Sequence, residues 1–261
     1  MTATKEPPAL TPDISSRPIK KAHSRSPFAV VDLYKSAVGK KWVMALTGVG
    51  LMGFVFFHMV GNLKMFLGPV EFNHYAEFLR ELLVPILPRT VALWLLRIGL
   101  IVMFAAHIHC AYGLTRINAK ARPVKYKSPR DYVAVSFAAR TMRWSGIIVG
   151  LFLLFHLADL TWGIHLLNPE FVRGQAYQNL AYSLDRPVVA AIYILGNLAL
   201  GFHLYHGAWS IFQTVGSMSP RFNPRHNPIR RGFAAGFAIL VAGINISFPI
   251  MVLAGVVGVS S

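Results

Sequence analysis

The residues with the most chemical potential in this chain are histidines placed where water is scarce. There are ten in all. Six fall inside long apolar stretches: His58, His107, His109, His156, His203 and His206. A polar side chain in hydrocarbon is costly, so an imidazole there hydrogen-bonds across a helix bundle, carries protons or binds a metal. Low-spin haem iron takes two axial ligands, and imidazole suits iron well. The other notable group is Asp159, the one carboxylate well inside an apolar stretch, one turn beyond His156. Such a carboxylate faces the bundle interior with a partner. Arg97 and the His156 region are the candidates.

The stretches that hold these residues are five, at about 42–67, 91–117, 144–167, 187–215 and 232–257. Each has the ~20 apolar residues that cross a bilayer core. A mean hydropathy of +0.49 fits a polytopic membrane protein and not a soluble domain. The reading is therefore all-α: a basic arm over 1–40, then one five-helix membrane domain over 41–261. No internal repeat or low-complexity tract stands out.

Charge gives the expected orientation. The formal net charge is +16, but it is distributed in a way that argues against nucleic acid. Twenty Lys and Arg lie on one side, in the arm and in the connections after the second and fourth spans, against five on the other. That asymmetry predicts a cytoplasmic N-terminus and a C-terminus outside, as five spans require. Some arm charges could also meet anionic lipid. The arm's prolines predict a segment without regular structure or one lying across a partner, and no apolar signal region is visible in it. The single cysteine, Cys110, excludes both an intrachain disulfide and a CxxCH haem attachment.

Depth sorts the histidines. At ~1.5 Å rise per residue from the basic side, His58 and His156 lie ~20–25 Å deep, and His107 and His203 ~15–18 Å deep. Two pairs at two levels on four helices are what two bis-histidine haems stacked across a membrane need. Small residues near them (Gly50, Gly61, Gly99, Cys110, Gly163, Gly196, Gly207, Ser210) would make room for a flat cofactor, or serve close helix packing. Ligand pairs four turns apart on one helix, the pattern of quinol–cytochrome c cytochromes b, are excluded by spacing.

Four segments carry a resemblance: "TGVGLMGFVFFHMVGNLKMFLG", "LWLLRIGLIVMFAAHIHCAYGLTRINAKARPVKY", "RTMRWSGIIVGLFLLFHLADLTWG" and "LGFHLYHGAWSIFQTVG". Together they resemble the five-helix, dihaem cytochrome b anchor of succinate:quinone oxidoreductases, in an actinobacterial or mycobacterial form. The resemblance implies His58 and His156 as ligands of an outer haem b, and His107 and His203 as ligands of an inner one. The spacing from His107 to "ARP" selects it over His109, and Gly207 four residues on selects His203. It also implies a flavoprotein subunit with FAD and an iron–sulfur subunit docked on the cytoplasmic face, and menaquinone as the bound substrate. The setting would be respiratory complex II in the bacterial cytoplasmic membrane, at the junction with the tricarboxylic acid cycle, where the complex could form a higher oligomer. The anchor itself would carry electrons and do no succinate chemistry. A glutamate that some dihaem relatives carry two residues before the last ligand is Gly201 here, which puts a proton path of that kind in doubt.

Further candidates for a quinone, propionate or proton role are His206, Ser210, Gln213, Trp42, Lys41, Arg143, Asp159 and Arg97. Tryptophan and basic residues at a span end also serve as plain interfacial anchors. Three rivals remain: the dihaem anchor of a formate dehydrogenase or hydrogenase, a haem-free transporter or proton relay built on the histidines and Asp159, and a haem-free tether for a soluble enzyme.

Overall fold

The computed structural model describes residues 29–121, 133–214 and 228–258. Most of the N-terminal arm and most of the basic connections fall outside these residues. The described residues are mainly helical, with no strand among them. Five helices are long and apolar enough to cross a membrane. In chain order the helices are α1 (Ala29–Lys35), α2 (Ala37–Asn62), α3 (Pro69–Arg80), α4 (Val91–Lys120), α5 (Val133–Leu160), α6 (Ala176–Leu184), α7 (Pro187–Thr214) and α8 (Pro228–Leu253). The long ones are α2, α4, α5, α7 and α8.

The long helices are apolar nearly all round, so length and local end signals set their limits. Ser36 caps α2 by accepting from Gly39 N at 2.9 Å. The chain folds back so tightly there that a Cβ on Gly39 would lie 1.8 Å from Leu33 O. The third span is shorter than its apolar run: α5 stops at Leu160, seven residues before the expected end. Gly163, at φ 62°, lets Ile164 N reach back to Ala158 O at 2.9 Å and turns the chain out of the helix. Residues 161–167, His165 included, therefore belong to an exposed connection and not to the span.

In the bundle, α4 packs on α2, α5 packs on α7, and α2 meets α7 between them. α8 lies mainly along α7. α4 and α5 form no comparable contact with each other. The short helices α3 and α6 close one end, hereafter the cap end; the opposite end carries the basic connections.

The structure brings out a repeat that sequence reading misses. α2–α3–α4 and α5–α6–α7 are the same unit twice: long helix, short cap helix, long helix. Displaced by 98 positions (His58 to His156), "TGVGLMGFVFFH" at 47–58 matches "SGIIVGLFLLFH" at 145–156 through Gly48/Gly146, Phe54/Phe152, Phe57/Phe155 and His58/His156. α4 and α7 begin 96 positions apart (Val91, Pro187), and His107 and His203 keep that displacement. The two units meet at the cap, where Asn73 of α3 accepts from Tyr177 N at 2.9 Å and donates to Gln178 Oε1 at 3.0 Å.

The cap is tied by polar side chains. Buried Asn179 clamps the connection before α6 from both sides, accepting from Val172 N and donating to Val172 O, each at 2.8 Å. Asn168 donates to Asn179 O at 3.3 Å. Glu77 of α3 pairs with Arg80 and with Arg89, and these guanidiniums hold its carboxyl below the ordinary range. Asn179→Ala leaves both Val172 groups without their partner and should cost about 1–3 kcal/mol. The expected result is faster limited proteolysis within 161–175 and unchanged cleavage at the basic end, read by mass spectrometry of the fragments.

Candidate functional site

Two imidazole pairs lie across the bundle. The ring centres of His58 on α2 and His156 on α5 are 5.9 Å apart. Those of His107 on α4 and His203 on α7 are 6.4 Å apart. Each pair takes one ring from each repeat, at equivalent positions. The levels are well separated: Thr47 touches His107, and the eleven residues from Thr47 to His58 rise roughly 16 Å along α2.

What the Nδ1 atoms do decides what the Nε2 atoms can do. At the basic-end pair, Thr47 Oγ1 lies 3.1 Å from His107 Nδ1, and Ser145 Oγ lies 3.4 Å from His203 Nδ1. Each hydroxyl has one proton. Thr47 donates it to Val43 O at 2.7 Å, and Ser145 donates it to Met142 O at 3.0 Å. Both oxygens are therefore left to accept from Nδ1–H. With Nδ1–H so placed, Nε2 is the lone-pair nitrogen of each ring. Thr47 and Ser145 are again equivalent, and so are Gly48 and Gly146. A Cβ on Gly48 would lie 3.5 Å from His107 Cε1, and one on Gly146 would lie 3.3 Å from His203 Cε1.

The cap-end pair follows the same logic with different partners. His156 Nδ1 lies 3.3 Å from Tyr193 Oη, and Tyr193 spends its own proton on Asp159 Oδ2 at 2.8 Å. Tyr193 thus accepts from His156. His58 Nδ1 lies 2.9 Å from Asn62 Nδ2. A half-turn of that amide exchanges its donor for its acceptor, and the turned form matches the other three rings. Among the described residues no Nε2 of the four makes a hydrogen bond. Phe54 and Phe152, each one turn before the histidine of its helix, pack against the two rings at 5.4 and 6.1 Å.

This donor set can be tested against haem. A metal bonded to two imidazoles at about 2 Å, each through a nitrogen about 1.1 Å from its ring centre, holds the centres about 6 Å apart. Both pairs have that spacing. Among the described residues no third His, Cys, Asp or Glu completes a metal cage at either level. Two imidazoles therefore suit an ion that arrives with its remaining ligands in a plane. Hydrogen bonds on the distal nitrogen are the usual second support of a ligating histidine. The residues present fit the group.

The glycines divide. Gly53, Gly99, Gly150 and Gly207 have nothing within 4 Å of a would-be Cβ. Gly50, Gly61 and Gly196 do not make room, since they pack against Met103, Tyr75 and Phe152. Gly163 ends a helix. Cys110 is fully buried.

Asp159 has no exposure at all. Its partners are Ser183 Oγ at 2.5 Å, Tyr193 Oη and Arg186 at 3.4 Å. Arg186 also bonds Leu167 O at 2.5 Å. Arg97 is not a partner; it is exposed and lies over the Trp94 ring. His109 turns away from the pairs and stacks on Tyr34 of α1 with ring centres 6.1 Å apart.

His206, Ser210, Trp42, Lys41 and Arg143 gather toward the basic end. His206 Nε2 meets Thr141 Oγ1 at 3.3 Å, and Ser210 is partly buried one turn further on. Trp42, Lys41 and Arg143 are exposed. The side chain of Gln213 lies outside the described residues. Beside this group an apolar crevice of about 240 Å3 opens between α2, α7 and α8, lined by Val49, Met52, Ala208, Ile211, Phe212 and Phe233. Thr47, Ser145, Tyr193, Ser183 and Arg186 were missed by sequence reading. A hydroxyl–glycine pair eleven residues before each first-in-repeat histidine is the signal that could have found two of them.

Set against known proteins, the chain matches no family model, no curated protein and no solved structure.

Arg186→Met leaves the Asp159 carboxylate buried without its cation. Arg186 is itself about a third exposed, so water already weakens the pair, and the expected cost is about 3 kcal/mol. The double variant Asp159→Leu with Arg186→Met should recover most of that loss in a thermal-unfolding series.

Proposed function

We propose that this chain is a dihaem membrane cytochrome b that anchors a succinate:quinone oxidoreductase and passes electrons between its iron–sulfur subunit and quinone. The observation that carries the reading is the symmetry of the two imidazole pairs: same ring spacing, one ring from each repeat, and hydroxyl acceptors that fix three of the four rings with Nε2 free. The resemblance of four segments to the family's anchor supports the choice of complex.

Bound haem would supply reversible one-electron chemistry at iron. The protein's residues do the rest. His58 and His156 hold one haem b, and His107 and His203 the other. Thr47, Ser145 and Tyr193 hold the Nδ1 protons so that each Nε2 points its lone pair inward. The apolar spans exclude water from both levels. In this reading the basic end faces the cytoplasm, as the charge asymmetry favours. There it receives the iron–sulfur subunit and, behind it, the FAD-bearing flavoprotein, in the bacterial cytoplasmic membrane. His206, Ser210, Gln213, Trp42, Lys41 and Arg143 are the groups placed to meet a menaquinone headgroup. The crevice between α2, α7 and α8 suits its apolar tail.

The second reading, a haem-free proton relay, draws on one observation: His156, Tyr193 and Asp159 form a hydrogen-bonded chain in a water-poor region. Haem content separates the two. The chain, purified with whatever partners follow it, is expected to give about two haems b by the reduced alkaline-pyridine spectrum, an expectation set by two ligand pairs at one iron each. Folded but colourless protein would sink the cytochrome and leave the relay or a plain tether. His58→Ala or His156→Ala should remove one haem and spare some of the other. Equal loss of both in an assembled complex would count against the pairing.

A further inference from the structure

The two repeats supply an internal control, because they make the points where symmetry fails visible. At the basic-end level both Nδ1–H groups end alike, on a neutral hydroxyl whose proton goes to a carbonyl of its own helix. At the cap-end level they differ. His58 meets the amide of Asn62. His156 meets Tyr193, and Tyr193 meets a carboxylate, so one imidazole in four is wired to an anion.

That wiring has no counterpart in the first repeat. The position matching Asp159 is Gly61, whose missing side chain is replaced by the Tyr75 ring. The region matching Tyr193 holds Leu95, Leu96 and Arg97, all exposed. In the second repeat the chain is held with some care. Asp159 is fully buried, Tyr193 is 6% exposed, and Ser183 and Arg186 occupy the remaining carboxylate positions. Arg186 also donates to Ser183 Oγ at 3.3 Å, which orients that hydroxyl toward Asp159.

We infer that Tyr193 and Asp159 are positioning residues that lower the redox potential of the cap-end centre. This rests on the cytochrome reading. A carboxylate at the end of the chain pulls the tyrosine proton toward itself, and the phenol oxygen in turn draws harder on Nδ1–H. That raises the basicity of His156 Nε2 as a ligand. A stronger donor favours the more highly charged, oxidised iron, and so lowers the potential. Arg186 neutralises much of the carboxylate's long-range field. What remains is the directional pull through two hydrogen bonds, which reaches His156 and neither ring of the other pair.

The test uses the complete complex and reads potentials, not turnover. The component lost in His58→Ala identifies the cap-end haem in a reductive titration followed in the visible band. Tyr193→Phe removes one oxygen and keeps the ring that packs on Phe152 and His156. Asp159→Asn keeps the shape and removes the charge. Both should move the cap-end component to higher potential and leave the basic-end component in place. Thr47→Val is the reciprocal control and should move only the basic-end component. Two haems per chain with both potentials unchanged in Tyr193→Phe would overturn the inference and leave the cytochrome reading intact. Loss of the cap-end haem from Tyr193→Phe would assign that tyrosine to haem retention and also overturn it. Absence of haem from the unaltered complex would overturn the cytochrome reading itself. Should Asp159→Asn fail to assemble, Tyr193→Phe alone decides.

Discussion

An imidazole inside a membrane has two nitrogens and no water to satisfy them, and the architecture follows from where each nitrogen is spent. Nδ1 is spent within the protein, on Thr47, Ser145, Tyr193 or Asn62. Nε2 makes no hydrogen bond among the described residues. Hydroxyl protons given to helix carbonyls or to Asp159 favour the Nδ1–H tautomer at three of the four rings. The helices must then sit where these contacts can form. α2 has to pass beside His107 at Thr47 and then face His156 at His58, and α5 has to do the same for His203 and His58. Two contacts eleven residues apart on each of two helices fix the bundle's register more tightly than apolar packing in lipid could.

The duplication makes this economical. One unit, a long helix with a hydroxyl–glycine pair and a histidine three turns on, joined through a cap helix to a second long helix with one histidine, generates both levels when used twice. Each level then draws one ring from each unit. Gly48 and Gly146 lie against the same imidazole edge, and a Cβ at Gly146, 3.3 Å from His203 Cε1, would press on it, while one at Gly48 would only touch His107. α8 stands outside the scheme: it packs along α7, carries no histidine, and completes the apolar surface.

Much of this was legible in the sequence, for physical reasons. Hydropathy over ~20 residues locates spans because every backbone group in lipid must be bonded within its own helix. Rise per residue sorted the histidines by depth and so grouped His58 with His156 and His107 with His203. The rest was not legible. The end of α5 depended on a glycine turn inside an apolar run, so the third span read seven residues too long. α3 and α6 read as connections because their apolar faces are short and pack on one another's hairpins. The repeat was hidden because lipid-facing positions accept any apolar residue, leaving only the Gly, Phe and His that touch something to show the match. For Asp159 the span offered only Arg97 as a cation, whereas the one it meets, Arg186, comes from beyond the span, just before α7.

The same features separate what the fold needs from what a function would need. Thr47 and Ser145 are the minimum that an imidazole pair requires, one neutral acceptor each, and the cap-end level could have been built that way too. It was not. A fully buried carboxylate was placed there, with a serine, a tyrosine and an arginine to hold it, in a setting where burying a charge costs several kcal/mol before any of those partners repays it. Packing alone would be served as well by an apolar side chain, as Gly61 and Tyr75 serve the equivalent place in the first unit. A charge kept at that cost, aimed through one phenol at one imidazole of four, points to a difference between the two levels that the protein's work depends on.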